Sequence, residues 1–448
     1  MKTLIYNATI VNENNSFIGA VLIDGERIAR IFDRSMESAR DMGELEGPVI
    51  HLNAQGCYLL PGMIDDQVHF RQPGNPLKGT IKSESLAALM GGVTTFLDMP
   101  NNQPPVTNNE ALAKKYRMGR EDSYANYGFY MGATNTNLNE VLQSVGPCCG
   151  LKIFMGSSTG NMLVDDPAAL EAFFSGYKGV IATHCEEESI IRQNLIKARA
   201  KYGNDIPIEM HSSIRSRRAC IASTQKALDL AVKYGTRLHL LHLSTAEELR
   251  LLRKAKQANP HITAEVCLPH LLFSHKDYSV YGTAIKCNPA VKTILDRDAL
   301  RAALRSGLVD VIGSDHAPHT WAQKENPYTL APSGIPMVQH SLPALLELVA
   351  QNQLTVEQLV QRMCHAPARI FGIPERGYIK EGYYADLVMI DTNKPYTVTS
   401  HNIAYACGWS PFEGHTFPAS ITRVIINGRT AVENGKLVVP KPIVHEVL

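Results

Sequence analysis

The segment Val311-Ile312-Gly313-Ser314-Asp315-His316-Ala317-Pro318-His319 ends an apolar run with an acid, a histidine and, three residues on, a second histidine. A carboxylate and imidazoles gathered at one strand end are the donors a divalent metal takes, which points to metal-assisted chemistry. Upstream, Pro61-Gly62-Met63-Ile64-Asp65-Asp66-Gln67-Val68-His69-Phe70-Arg71 closes another apolar run with His69 and Arg71, which strand alternation puts on one face. A lone histidine at a strand end is more often a hydrogen-bonded surface group, so the weight rests on how many strand ends repeat the pattern.

Several do. Asn101 follows the run Val93 to Asp98, Lys152 lies within Leu151 to Met155, His184 ends Val180 to His184, and His242 lies near the end of Leu238 to Leu243. Neutral imidazoles with a carboxylate suit Zn²⁺ or a similar ion. Such an ion lowers the pKa of bound water to about 7, so hydroxide exists at neutral pH. Lys152 sits inside an apolar strand, where an ammonium is costly to bury. It either snorkels, pairs with a buried acid, or loses its charge. A neutral amine beside metals is able to capture CO₂ as a carbamate, a step that spacing alone does not reveal.

The elements that must position these groups are short apolar runs alternating with helical patterns: Met63 to Phe70, Val93 to Asp98, Tyr127 to Met131, Leu151 to Met155, Val180 to His184, Leu238 to Leu243, Ile262 to Cys267 and Val309 to Asp315. Eight βα units predict an α/β fold, a (β/α)₈ TIM-like barrel over residues 57–375, whose chemistry lies at the carboxyl ends of the strands. An open doubly wound sheet is the alternative, but no G-x-G-x-x-G follows the first strand. Ser244-Thr245-Ala246-Glu247 reads as a capping box, followed by Leu249, Leu252 and Ala255 at helical spacing. The termini, 1–56 and 376–448, read as strands with Asp24-Gly25, Asn427-Gly428 and Asn434-Gly435 hairpin turns, and should pair into one small β-sandwich. Pro and Gly in 331–336 mark a loop that either covers the pocket as a mobile segment or simply connects.

Composition narrows the partner. Over 448 residues, 44 Lys+Arg against 43 Asp+Glu leave a net charge of +1, so nucleic acid finds no basic face and a small-molecule substrate is expected. The nine cysteines lack C-x-x-C spacing and read as buried thiols of a reducing cytosol. No run of about 18 apolar residues marks a membrane span, so we expect a soluble, cytoplasmic protein.

Together these residues resemble the dihydroorotases of the amidohydrolase superfamily, over nearly the whole chain. The matching motifs run in order: Pro61 to Asp65 with Val68 to Gly74, Asp98-Met99-Pro100-Asn101-Asn102, Gly150 to Phe154, Thr183-His184-Cys185-Glu186, Leu241-His242-Leu243-Ser244, Lys286-Cys287-Asn288-Pro289, Gly313 to His319, and Trp409 to Gly414. The resemblance implies a binuclear zinc-type centre: His69 and Asp315 on one metal, His184 and His242 on the other, and carbamylated Lys152 bridging them. It also implies Asp315 as general acid and base, with Arg71, Asn101, Asn288 and His319 holding the substrate carboxylate and ring. The implied activity is reversible hydrolysis of the cyclic amide of L-dihydroorotate to N-carbamoyl-L-aspartate in pyrimidine synthesis. A homodimer is expected, since related barrels commonly dimerise. Arg71 carries the substrate argument: the similar allantoinases usually have asparagine there, and hydantoinases or dihydropyrimidinases lack this clamp.

One position departs from the pattern. Gln67 stands where the family has the first histidine of its His-x-His motif, and an amide oxygen is a weak zinc ligand. The metal of His69 and Asp315 should then be weaker, exchangeable or absent. A catalytically silent scaffold or partner subunit is a rival reading, opposed by retention of the other ligands together with the clamp; another cyclic amidase is a third. Pro269 replaces one of two paired histidines, and His270 has no expected role.

Overall fold

The computed structural model describes residues 2–33, 48–143, 146–156 and 162–448. Strands β1 (Lys2–Asn12), β2 (Asn15–Asp24) and β3 (Arg27–Phe32) form an antiparallel meander with two-residue turns, Asn12 pairing with Asn15 and Asp24 with Arg27. The turns need left-handed backbone: Glu13 and Asn14 have φ of 50° and 62°, and Gly25 has 62°. β4 (Val49–Asn53) runs parallel to the first half of β1, and β5 (Cys57–Pro61) parallel to its second half. A bulge between Ile5 and Ala8 separates those halves, so one strand serves two sets of partners.

A single residue, Gly62, carries the chain from β5 into the barrel strand β6 (Met63–Val68). A Cβ here would stand 2.0 Å from Thr94 Oγ1, so only glycine lets the strands pass this closely. The barrel continues through β7 (Val93–Asp98), β8 (Asn126–Phe129), β9 (Met131–Gly132), β10 (Leu151–Phe154), β11 (Ile181–His184), β12 (Leu238–Leu240), β13 (Thr263–Cys267) and β14 (Val311–Gly313). The third stave is broken at Tyr130: β8 pairs with β7, and β9 with β10. A parallel bridge from Val68 to His316, with His69 N–H donating to His316 O at 2.8 Å, joins the last stave to the first. The eight expected runs thus form a closed parallel barrel rather than an open sheet. Every residue of β6, β7, β8, β10 and β11 is buried, as parallel strands covered on both faces require.

Around the barrel, Thr245 caps the helix Ala246–Ala258 in a box with Glu248, one residue later than the sequence suggested. The reason is that the Glu248 carboxylate accepts from the N–H of both Ser244 and Thr245. Leu249, Leu252 and Ala255 turn inward as expected.

After the barrel come β15 (Leu387–Asp391), β16 (Tyr396–Thr397), β17 (Thr416–Phe417), β18 (Ser420–Ile426), β19 (Arg429–Glu433) and β20 (Lys436–Leu437). β15 pairs antiparallel with β5, and the two termini build one nine-stranded sheet in the order β20-β19-β18-β15-β5-β1-β2-β3, with β4 on β1. Asn427-Gly428 and Asn434-Gly435 form its hairpin turns with positive φ at all four residues, as their sequence predicted. Val11, Leu60, Val388 and Val424 belong to the barrel's own core cluster, so sheet and barrel share packing. Among the described residues no helix is long and apolar enough to cross a membrane. All nine cysteines are unbridged, and six are buried.

Candidate active site

His184 ends β11 and Lys152 lies within β10, but His69, Arg71, His242 and Asp315 stand just past their strands, where the chain turns out of the barrel. Three of these carry left-handed backbone: Arg71 at φ 64°, His242 at 38° and Asp315 at 46°. Such conformations cost roughly 1–3 kcal/mol each for residues with a side chain and persist where the surroundings fix them. Strand alternation therefore does not aim Arg71, contrary to the sequence reading; β6 ends at Val68 and the turn does the aiming.

The expected metal ligands arrange as two pairs. His69 Nε2 lies 3.2 Å from Asp315 Oδ1, and His69 Nδ1 faces Asn101 Oδ1 at 2.6 Å. His184 Nδ1 lies 2.9 Å from His242 Nε2. The other nitrogen of His184 faces Glu186 Oε2 at 3.0 Å, and Glu186 is in turn held by Arg215. With its Nε2 proton given to the carboxylate, His184 turns an unprotonated Nδ1 toward His242. Burial lowers the pKa of both rings, with Lys152 and the neighbouring imidazole adding to the effect on His242, so both are neutral and able to ligate. Lys152 is fully buried, and its Nζ makes no hydrogen bond. Burial brings its amine down to about 8, against the pull of Asp315 and Glu265. Two neutral imidazoles whose ring nitrogens face each other at hydrogen-bond distance, a carboxylate and an orphaned amine whose charge burial disfavours together fit a divalent cation.

Arg71 and His319 form a second group. Arg71 Nη2 lies 3.2 Å from His319 Nε2, and its Nε donates to Pro318 O at 3.2 Å. The guanidinium is buried, and among the described residues no carboxylate pairs with it. Burial drops its pKa to about 10. His319 is held far below its ordinary value by burial and by the charges of Arg71, Lys78 and Lys324. The buried Asn288 Oδ1 has no hydrogen-bond partner. Asn101 is engaged with His69, so its visible work is to orient that ring.

Gln67 does not turn its oxygen toward His69. Its Nε2 donates to Asp315 Oδ1 at 3.2 Å, and its Oε1 faces Cys267 Sγ at 3.6 Å. Sequence reasoning also missed two positioning groups. Glu186, two residues past the end of β11, was legible as part of a motif but had no assigned work. Trp409, in another matched motif, donates its indole N–H to His319 O at 2.7 Å. His270 donates Nε2–H to Pro289 O at 2.9 Å and so braces the Asn288 turn.

The 331–336 segment is tied down. Lys324 Nζ donates to Pro332 O and Gly334 O at 3.0 and 2.9 Å, and Lys286 Nζ to Ala331 O at 2.6 Å. A bridge joins Ile335 to His316. Of the two sequence readings, the structure favours the fixed connection.

Residues 58–431 match the model of the amidohydrolase family. A dihydroorotase of Methanosarcina acetivorans is 32% identical over 423 residues, covering 92% of this chain and 88% of that protein. An allantoinase of Bacillus velezensis is 29% identical over 406 residues, 87% of this chain and 88% of that one. Among solved structures, L-hydantoinase (dihydropyrimidinase) from Arthrobacter aurescens superposes with a TM-score of 0.91 at 26% identity, covering 98% of each chain.

Proposed function

The chain belongs to the amidohydrolase family and is a hydrolase acting on cyclic amides, and we propose that its substrate is L-dihydroorotate, opened reversibly to N-carbamoyl-L-aspartate. The observation that carries this reading is Arg71, a buried guanidinium with His319 at 3.2 Å and no carboxylate partner among the described residues. A desolvated guanidinium with no carboxylate in ion-pair contact, Asp315, Asp98 and Glu84 acting on it only through space, is suited to a planar anion that accepts two parallel hydrogen bonds. Dihydroorotate carries such a carboxylate on its ring; hydantoin and allantoin do not.

His184, His242 and Lys152, joined by His69 and Asp315, are the residues that would hold metal. Zinc or a similar cation bound there would polarise the scissile carbonyl and acidify the attacking water. The protein's own groups do the rest. Gln67 and His69 both address Asp315 Oδ1, which leaves Oδ2 to take the water proton and pass it to the ring nitrogen as the amide bond breaks. Arg71 holds the substrate carboxylate, and Asn288 Oδ1 is an acceptor for a ring N–H. Glu186 keeps His184 in one tautomer. A neutral Lys152 is the form that takes up CO₂.

A second reading, another cyclic amidase, draws on the allantoinase and hydantoinase likenesses. Substrate turnover separates the two. Metal-replete protein should open dihydroorotate, followed as loss of its ultraviolet absorbance, and Asp315→Ala should abolish the signal. Preferred turnover of hydantoin or allantoin would overturn the proposal.

A further inference from the structure

Among the described residues, one group of three metal-ligating side chains has all its donor atoms within 4.8 Å of one another, and it is not the site above: Asp66, His239 and Glu265. They come from β6, β12 and β13. β6 is not a sheet neighbour of β12 or β13, so the side chains meet across the barrel interior, and all three are fully buried.

The histidine's tautomer follows from its partner. Thr263 Oγ1 donates to Leu238 O at 3.3 Å, so at its 2.8 Å contact with His239 Nδ1 the hydroxyl accepts. The ring proton is therefore on Nδ1, and Nε2 points a lone pair at Asp66 Oδ2, 3.0 Å away, and at Glu265 Oε2, 4.0 Å away. Both Asp66 oxygens, Glu265 Oε2 and His239 Nε2 lack any hydrogen bond. Lone pairs facing lone pairs in a dry interior repel, and buried carboxylate oxygens left without a donor are costly. A proton on His239 would serve Asp66 alone. Donors sharing one ion can lie up to about 4.2 Å apart, twice a metal–ligand distance, and both spacings fall within that limit.

We propose that Asp66, His239 and Glu265 bind a divalent cation of the zinc class inside the barrel, separate from the catalytic centre. One nitrogen and carboxylate oxygens, with Thr263 as the outer partner of the histidine, are the donors such an ion takes. The ion braces the catalytic site. Glu265 Oε1 accepts from His242 N at 3.2 Å and from the Cys267 thiol at 2.5 Å, while its other oxygen takes the cation. Asp66 lies in β6 beside Gln67, so the same ion anchors the strand from which the turn carrying His69 and Arg71 departs.

The test is independent of activity. Crystals of wild-type protein grown with zinc, measured above and below the zinc absorption edge, should show an anomalous peak among Asp66, His239 and Glu265, distinct from any peak at His184 and His242. Metal analysis of the full chain, dialysed without chelator, should show about one equivalent fewer per chain in Asp66→Asn and in His239→Gln than in wild type. Peaks at His184 and His242 with none in the interior would overturn the proposal, as would unchanged metal content in folded Asp66→Asn. If both variants fail to fold, the diffraction experiment on wild type decides alone.

Discussion

Gln67 Nε2 lies 3.2 Å from Asp315 Oδ1, so the residue that stands in place of a ligand histidine donates a hydrogen bond to the proposed acid and base. Its oxygen is turned to Cys267, away from His69. A metal shared by His69 and Asp315 therefore has one ligand fewer than the family pattern supplies.

Replacing that amide by imidazole should restore the ligand. We expect Gln67→His to retain up to one metal equivalent more per chain than wild type after extensive dialysis, measured by elemental analysis. Equal retention would show that His69 and Asp315 hold metal without help.

Glu186 acts through His184. Glu186→Ala should weaken metal binding about 10–100-fold, the usual cost of losing a partner that orients a ligating histidine. Competition with a chelator would measure it. Glu186→Gln, which keeps an acceptor oxygen, should recover part of the loss, and kcat at saturating metal should change little in either variant. A fall in kcat with unchanged metal affinity would contradict a positioning role.

The buried lysines set a pH dependence of stability. Burial brings Lys324 down to about 7, from an ordinary value of 10.5. Between those values the unfolded chain holds a proton that the folded chain has released, so this residue's contribution to stability rises with pH. Chemical denaturation of wild type and Lys324→Met at pH 6.5 and 9.5 tests this. The variant should be least disadvantaged at the lower pH, and the gap should widen toward the higher. A gap that narrows as pH rises would mean that the ammonium is the stabilising form.

How much of this was legible follows from the kind of signal each feature leaves. The eight staves showed because parallel strands covered on both faces read as short apolar runs, and the Asn-Gly hairpins because their turns demand left-handed residues. His69, Lys152, His184, His242 and Asp315 stood out because polar groups there interrupt or end apolar runs. The interior group did not: Asp66 reads as one of two adjacent acids, and His239 and Glu265 sit unmarked in strands that meet β6 only across the closed barrel. The tautomers set by Glu186 and Thr263 were equally silent, since a hydrogen bond's direction depends on what its partner is already doing. The aim of Arg71 came from a turn at φ 64°, which strand periodicity cannot predict.

What Arg71 binds decides which cyclic amide this site opens. The measurement is kcat/KM for dihydroorotate, hydantoin and allantoin, with metal-replete wild type and Arg71→Ala. Wild type should prefer dihydroorotate, and Arg71→Ala should lower kcat/KM for it by about 10²–10³-fold, the cost of leaving a buried charge unpaired, while the low rates on the uncharged rings stay unchanged. Equal loss on all three substrates, or no loss on dihydroorotate, would contradict the assignment.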